Sequence, residues 1–448
     1  MRTNGASIVA LLLLVTLSLA ACGGSTQSPP AAPAADSPTV APAAPAAPGA
    51  DTGTINILGA YQGNAEAAFT RVIEQFEAAN PGIDVVYSGV GDIDTQIVVK
   101  VQAGDIPDIA VLPQPGGMVR LARQGRLAPL WPEAVVAMDE TYAPFWKDLG
   151  TVDGELYGLV YSVYPKGFVW YNKPAFAAAG YSVPTTWEEL KALTAQMKAS
   201  GVAPWCEGIE AEQATGWKGT DWIENIMLRT QPVEKYDEWV AGTLPFSSPE
   251  VKNAFNILSE IWFDPTEVYG GQQTIVLTGV PDAANFLFNE PPSCWLHMQG
   301  GFVTGFFGDA VKADLDNQVG TFVLPPIDPA VTPALLVGGD TFMVFNGKDR
   351  PEVRTFIEFL TTAESTAPWA AAGGAVFPHQ GQDFALYPTG IEGTLAQTVA
   401  EAEAARFDGS DQMDAAVNAA FWKGVTDWAS GSRDLDGALA DIDAAQPK

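Results

Sequence analysis

Thr54-Ile55-Asn56-Ile57-Leu58, Phe69 through Phe76, Ile83-Asp84-Val85-Val86-Tyr87 and Asp108-Ile109-Ala110-Val111-Leu112 decide the fold class. The first stretch alternates apolar and polar residues, the period of a strand. It runs into Gly59-Ala60-Tyr61-Gln62-Gly63-Asn64, a turn-rich loop. Phe69, Val72, Ile73 and Phe76 then recur at helical spacing, and Asn80-Pro81-Gly82 stops that helix. Two further strand-like runs follow, with a polar helical stretch between them, and the second ends at Pro113-Gln114-Pro115-Gly116. Strand, helix and strand in alternation predict an α/β fold with a mainly parallel sheet. Ligands of such sheets bind at the carboxyl ends of the strands, which points to Gln62 and Gln114. Both could also simply brace their loops.

Further along, Tyr157-Gly158-Leu159-Val160-Tyr161-Ser162-Val163-Tyr164 and Phe168-Val169-Trp170-Tyr171-Asn172 read as extended. They suggest a crossing from one lobe to another over 151–172. Thr186 and Glu189 have capping-box spacing, as do Thr361 and Glu364. Ser248-Pro249-Glu250 opens another helix. Leu335 to Phe345 is apolar and interrupted by Gly338-Gly339-Asp340, which reads as a strand broken at a second crossing.

Ahead of all this stand Arg2 and an apolar run from Ile8 to Leu19, too short for a membrane span and suited to a signal peptide. Leu19-Ala20-Ala21-Cys22-Gly23 resembles the bacterial lipoprotein box, which implies cleavage after residue 21 and a lipid on Cys22. Residues 22–52 are dominated by Ala, Pro, Ser, Thr and Gly and read as a semi-rigid tether without a core. The remaining 396 residues are too many for one ordinary core and predict two domains. With Cys22 lipidated, Cys206 and Cys294 form an even pair in an exported protein, which favours one disulfide.

The net charge of −30, from 23 basic and 53 acidic residues, argues against nucleic acid as a partner. The two histidines, His297 and His379, limit metal and triad chemistry. No G-x-S-x-G elbow is present, and Gly89-Val90-Gly91 lacks the third glycine of a dinucleotide fingerprint. No cofactor is expected. A glycosidase pair among the many carboxylates stays open as an alternative.

Several segments together resemble the extracellular solute-binding proteins of ABC transporters, in the family that binds oligosaccharides. They are Phe76-Glu77-Ala78-Ala79-Asn80-Pro81-Gly82-Ile83, Ala103-Gly104-Asp105-Ile106-Pro107-Asp108-Ile109, Trp170-Tyr171-Asn172-Lys173, Pro184 to Leu190, and Phe359 to Glu364. Residues 214–229, with Pro204-Trp205-Cys206 and Ser293 to Gln299, are similar to the α-glucoside-binding branch, and that branch's paired cysteines support the disulfide. The resemblance implies a periplasmic-binding-protein-like fold of two lobes, 53–163 with 341–406 and 164–340 with 407–448. It also implies a monomeric, extracytoplasmic receptor that is no enzyme. Such a receptor holds an α-glucoside such as a disaccharide in the interlobe cleft and delivers it to a permease. A polyol or peptide ligand is the alternative within binding proteins.

A sugar offers a C–H face and a rim of hydroxyls, so its site needs aromatic planes and carboxylates or amides. Trp217 and Trp222 flank Asp221 in what reads as a loop with Gly216 and Gly219, and all three are candidates. Asp221 could instead cap a helix beginning near Trp222, and Trp222 could pack in the core. Asp340 beside two glycines, Tyr164 at the crossing, Phe302 after Gly300-Gly301, Trp369 near Gly373-Gly374, and Trp422 on the last long helix complete the set. For Asp340 a hinge role, and for the aromatics a core role, are the competing readings.

Overall fold

The computed structural model describes residues 51–90 and 93–447. The signal segment, Cys22 and the tether up to residue 50 lie outside the described residues. Gly53–Gly59 (β1), Asn64–Ala79 (α1), Ile83–Gly89 (β2), Ile93–Ala103 (α2), Ile109–Leu112 (β3) and Pro115–Arg123 (α3) follow the expected alternation. β1 pairs in parallel with both β2 and β3. Alternation along β1 splits its side chains between two cores. Ile55 and Ile57 pack with Phe69, Val72, Ile73 and Phe76 of α1, while Leu58 joins Ile97, Leu112 and Met118 on the other face.

A short hairpin of Thr151–Val152 (β4) and Glu155–Leu156 (β5) precedes Gly158–Pro165 (β6). Phe168–Asn172 (β7), Ala203–Trp205 (β8), Cys294–Gln299 (β9) and Val319–Val323 (β10) form a second sheet in the order β10-β7-β9-β8. Leu335–Val344 (β11) and Ala405–Phe407 (β12) return to the first sheet, ordered β12-β11-β3-β1-β2 with β6 also on β11. Only Lys166 and Gly167 separate β6 in the first sheet from β7 in the second. The second sheet carries its own aromatic core, with Trp205, Trp222, Trp239, Trp262 and Trp428.

Four expectations are corrected here. The sheets are mixed: β11 runs antiparallel to β3 and β6 and parallel to β12, and β7 is antiparallel to β9 and β10. β11 is not broken at Gly338-Gly339-Asp340; it is one buried strand with a register shift between Asp340 and Thr341. The glycines serve close approach, since a Cβ on Gly339 would stand 2.5 Å from the Ser162 carbonyl oxygen of β6. The helix around Trp222 begins at Trp217 (Trp217–Thr230) and is capped by Gly216 at φ 110, so Asp221 is no cap. Thr361 ends the helix Pro351–Leu360, and it is Thr362 that accepts from Ser365 N to cap the following turn.

Thr186 and Glu189 form the capping box, and Ser248 accepts from Val251 N. Cys206 and Cys294 are disulfide-bonded with Cα atoms 5.4 Å apart, fastening β9 to the end of its parallel neighbour β8. His297 and His379 are buried and hydrogen-bonded at Nδ1 and Nε2, to the Cys206 carbonyl and to the Tyr142 hydroxyl. Burial holds both below the usual histidine range, His379 at about 4.

Candidate functional site

Helical periodicity sorts the residues after Gly216. Trp217 and Asp221 are four apart and share a face, whereas Trp222, five on, points across the helix. Trp222 is 0 % exposed, packs edge-on against Trp205 at 5.2 Å and donates its indole N–H to Glu207 Oε2 at 3.2 Å. The expectation that Trp222 offers a ligand platform is corrected: it has no open face. Trp369 is 1 % exposed and sits edge-on to Tyr61 at 4.7 Å, a core residue that reaches only a cavity wall.

The remaining aromatics converge. Tyr164, near the end of β6, lies edge-on to Phe302 at 6.2 Å, and Phe302 lies 5.9 Å from Trp217. All three are half-buried, so each ring keeps an accessible part. Phe302 stands in the turn Gly301–Gly305, one residue after β9 of the second sheet, while Tyr164 belongs to the first. Trp422, half-buried on the helix Ala415–Ser430, touches the same helix start. Its carbonyl oxygen would be 2.2 Å from a Cβ on Gly216, which is why glycine stands there. Its indole N–H is buried and has no hydrogen-bond partner among the described residues.

Two carboxylates flank these rings. Asp340 is buried, and its Oδ2 accepts from Ser162 Oγ at 2.7 Å and from the Tyr164 hydroxyl at 3.0 Å. Since Ser162 gives its single proton to Asp340, the 2.9 Å contact with Tyr61 makes the Tyr61 hydroxyl the donor there. Burial pushes Asp340 up to about 6, against the pull of those hydrogen bonds. Asp221, buried on the Trp217 face, accepts from Lys166 at 2.9 Å through Oδ1, and its Oδ2 has no partner among the described residues. Burial pushes it up to about 7 although Lys166 draws it down. Gln114 stands at the N-cap of α3 and donates to Asp411 at 3.2 Å, and Gln62 is exposed in the β1–α1 loop.

A cavity meets this line at Phe302 alone, its other walls including Asn64, Arg71, Thr304, Trp369 and Glu392 but not Tyr164, Trp217, Asp221 or Asp340, and it holds about 690 Å³. That is the size range of small-molecule sites. Ser162, Tyr61 and Lys166 were not singled out in the sequence. Ser162 and Lys166 flank Tyr164 at distances of two residues, so an alternating strand reading of β6 could have placed Ser162 on its face.

The sequence profile of the bacterial extracellular solute-binding proteins matches residues 59–367. The chain belongs to that family. The solute-binding protein is 41% identical over 388 residues to the osmoprotective compounds-binding protein GgtB of Synechocystis sp., covering 85% of this chain and 90% of that one. It is 37% identical to the alpha-glucosides-binding periplasmic protein AglE of Rhizobium meliloti, covering 86% and 85%. Among solved structures it is similar to the bacterial solute receptor AcbH, with a TM-score of 0.75 at 19% identity, covering 88% of this chain and 97% of that chain. The fold is thus the periplasmic-binding-protein-like fold, and the chain is a binding protein, not an enzyme. Among the described residues no helix is long and apolar enough to cross a membrane.

Proposed function

We propose that this chain is the lipid-anchored receptor of an ABC importer and captures an α-glucoside, such as a disaccharide, in a cleft between two lobes. The lobes are 53–163 with 341–406 and 164–340 with 407–448. Cys22 carries the lipid, the tether gives reach outside the cytoplasm, and a permease takes the sugar from a monomeric receptor. The observation that carries this reading is the line Tyr164–Phe302–Trp217, with partly open aromatic faces, beside Asp340 and Asp221. Aromatic planes suit the C–H face of a pyranose, and buried carboxylates with the Trp422 N–H, unpartnered among the described residues, suit its hydroxyls. Gln62 and Gln114 would add amide contacts from the first lobe. The likeness to the alpha-glucosides-binding relative supports this sugar class.

A second reading is favoured by the relative named for osmoprotective compounds: a smaller neutral polyhydroxylated solute in the same cleft. A thermal-shift panel of α-linked disaccharides, β-linked disaccharides and polyols tests both. Stabilisation by α-glucosides supports the first, and stabilisation by polyols alone transfers the site to the second. No shift with any of them defeats both.

A further inference from the structure

Lys166 lies in the two-residue link between the sheets, and its backbone N–H donates to Leu336 O of β11 at 2.7 Å. Its side chain is buried, with 8 % exposed. The ammonium donates to Asp221 Oδ1 at 2.9 Å and to the Asp408 carboxylate, and stands 5.5 Å from the centre of the Trp217 ring. Asp408 belongs to another junction: it directly follows β12, and its N–H donates to Val337 O at 2.7 Å. Asp408 also accepts from Ser410 Oγ at 2.6 Å and Asp411 N at 3.1 Å, and Asp411 in turn accepts from Gln114 at the N-cap of α3. One buried cation therefore touches the helix start that bears Trp217 and Asp221, the β6–β7 link, and the segment after β12. An ammonium over an aromatic face fixes ring orientation as well as adding attraction.

We propose that Lys166 is the positioning residue of the binding site, tying Trp217 and Asp221 to the chain segments that connect the two sheets. The inference rests on the reading of Trp217 and Asp221 as solute contacts. In this role Lys166 acts through Trp217 and Asp221: two of its three donors go to protein carboxylates, and the ammonium stands over the indole.

The groups facing the ammonium set the test. Asp221 and Glu224 come from the helix Trp217–Thr230, Asp408 and Asp411 from the turn after β12, and Tyr236 from the helix Val233–Val240 stands against the same carboxylates. Glu224 Oε1 accepts from Ser410 N at 2.9 Å, and its Oε2 has no partner among the described residues. Burial lifts Asp221, Glu224 and Asp411, whereas Lys166 and local hydrogen bonds hold Asp408 down against burial. Without the ammonium, the buried Asp221, Glu224 and Asp408 and the half-buried Asp411 face one another with no cation and must repel or take up protons.

The experiment is isothermal titration of the full chain with trehalose, sucrose and maltose, comparing wild type, Lys166→Met and Asp408→Asn. For the sugar that wild type binds best, Lys166→Met is expected to weaken binding about 10-fold or more near pH 8 and to recover on acidification to about pH 5.5 as the carboxylates protonate. Asp408→Asn, which cuts one tie and leaves the Lys166–Asp221 pair, is expected to weaken binding about 3-fold or more, and stands alone as the test should Lys166→Met not fold. Wild-type affinity in both variants, or a Lys166→Met loss that is the same at every pH, overturns the proposal while leaving the sugar site intact. If wild type binds none of the three sugars, the functional reading fails and the positioning role fails with it.

Discussion

Asp340→Asn tests the electrostatic account of the site without a ligand. Asp340 is 2 % exposed, and its carboxyl is pushed up to about 6 by burial, from 3.8. A gap of about two pH units between the folded and unfolded chain is worth about 3 kcal/mol, at 1.36 kcal/mol per unit. The sign follows from proton counts. Between those two values the folded protein holds the proton and the unfolded chain has lost it, so stability falls as pH rises. The contribution is fully present below about pH 4 and is lost as pH rises through about 6. An asparagine at this position has no proton to lose, and its amide oxygen can still accept from Ser162 and Tyr164. Asp221, Glu224, Asp411 and Asp408 titrate in both proteins and largely cancel in the difference. Chemical denaturation followed by tryptophan fluorescence should show the variant gaining on wild type by up to about 3 kcal/mol between about pH 4 and pH 8. A difference that stays flat, or that shrinks as pH rises, would refute the reasoning.

Trp217→Ala should weaken the best-bound sugar by about 10-fold, because one lost stacking face of about 60 Å² corresponds to about 1.5 kcal/mol, while the melting temperature changes little. Trp222→Ala, which empties a core position, should instead cost about 3–5 kcal/mol of stability, measured by the same denaturation. Equal effects of the two substitutions on both readouts would contradict their assignment to cleft and core. The Cys206–Cys294 bridge closes a separation of 88 residues. In the chain-entropy description its removal in Cys206→Ser/Cys294→Ser lowers stability by at most about 4–5 kcal/mol. A variant as stable as wild type would show that the unfolded chain gains nothing when the bridge is gone.

What could be read in the sequence was local. The β1–α1–β2 unit announces itself because Ile55 and Ile57 alternate and Phe69, Val72, Ile73 and Phe76 recur on one helical face. The Thr186 capping box and the Ser248 cap were equally legible, since each lies within a single turn. The helix at Trp217 was hidden because its cap is Gly216 at positive φ, with no side-chain oxygen to mark it, and because Gly219 looks like a loop residue. Gly219 is needed in the helix: a Cβ there would stand 2.5 Å from Val425 and 2.9 Å from Trp262. β11 read as broken for a similar reason, since Gly338 and Gly339 permit close approach to β6 without ending the strand. Its antiparallel pairing with β3 could not be seen from the parallel unit that precedes it. Tyr164, Trp217, Phe302, Asp221 and Asp340 could be nominated from residue type and neighbours. The lysine that joins two of them could not, because Lys166 meets Asp221 across 55 residues and Asp408 across 242.

The site proposed for an α-glucoside is the partly open aromatic line beside Asp340 and Asp221. Titration calorimetry of the full chain with α-linked and β-linked glucose disaccharides puts it to the test most directly. Saturable one-site binding of an α-linked sugar, weaker or absent binding of its β-linked counterpart, and recovery of the sugar unchanged are expected. Binding of the β-linked series alone, or no heat with any sugar, would contradict it.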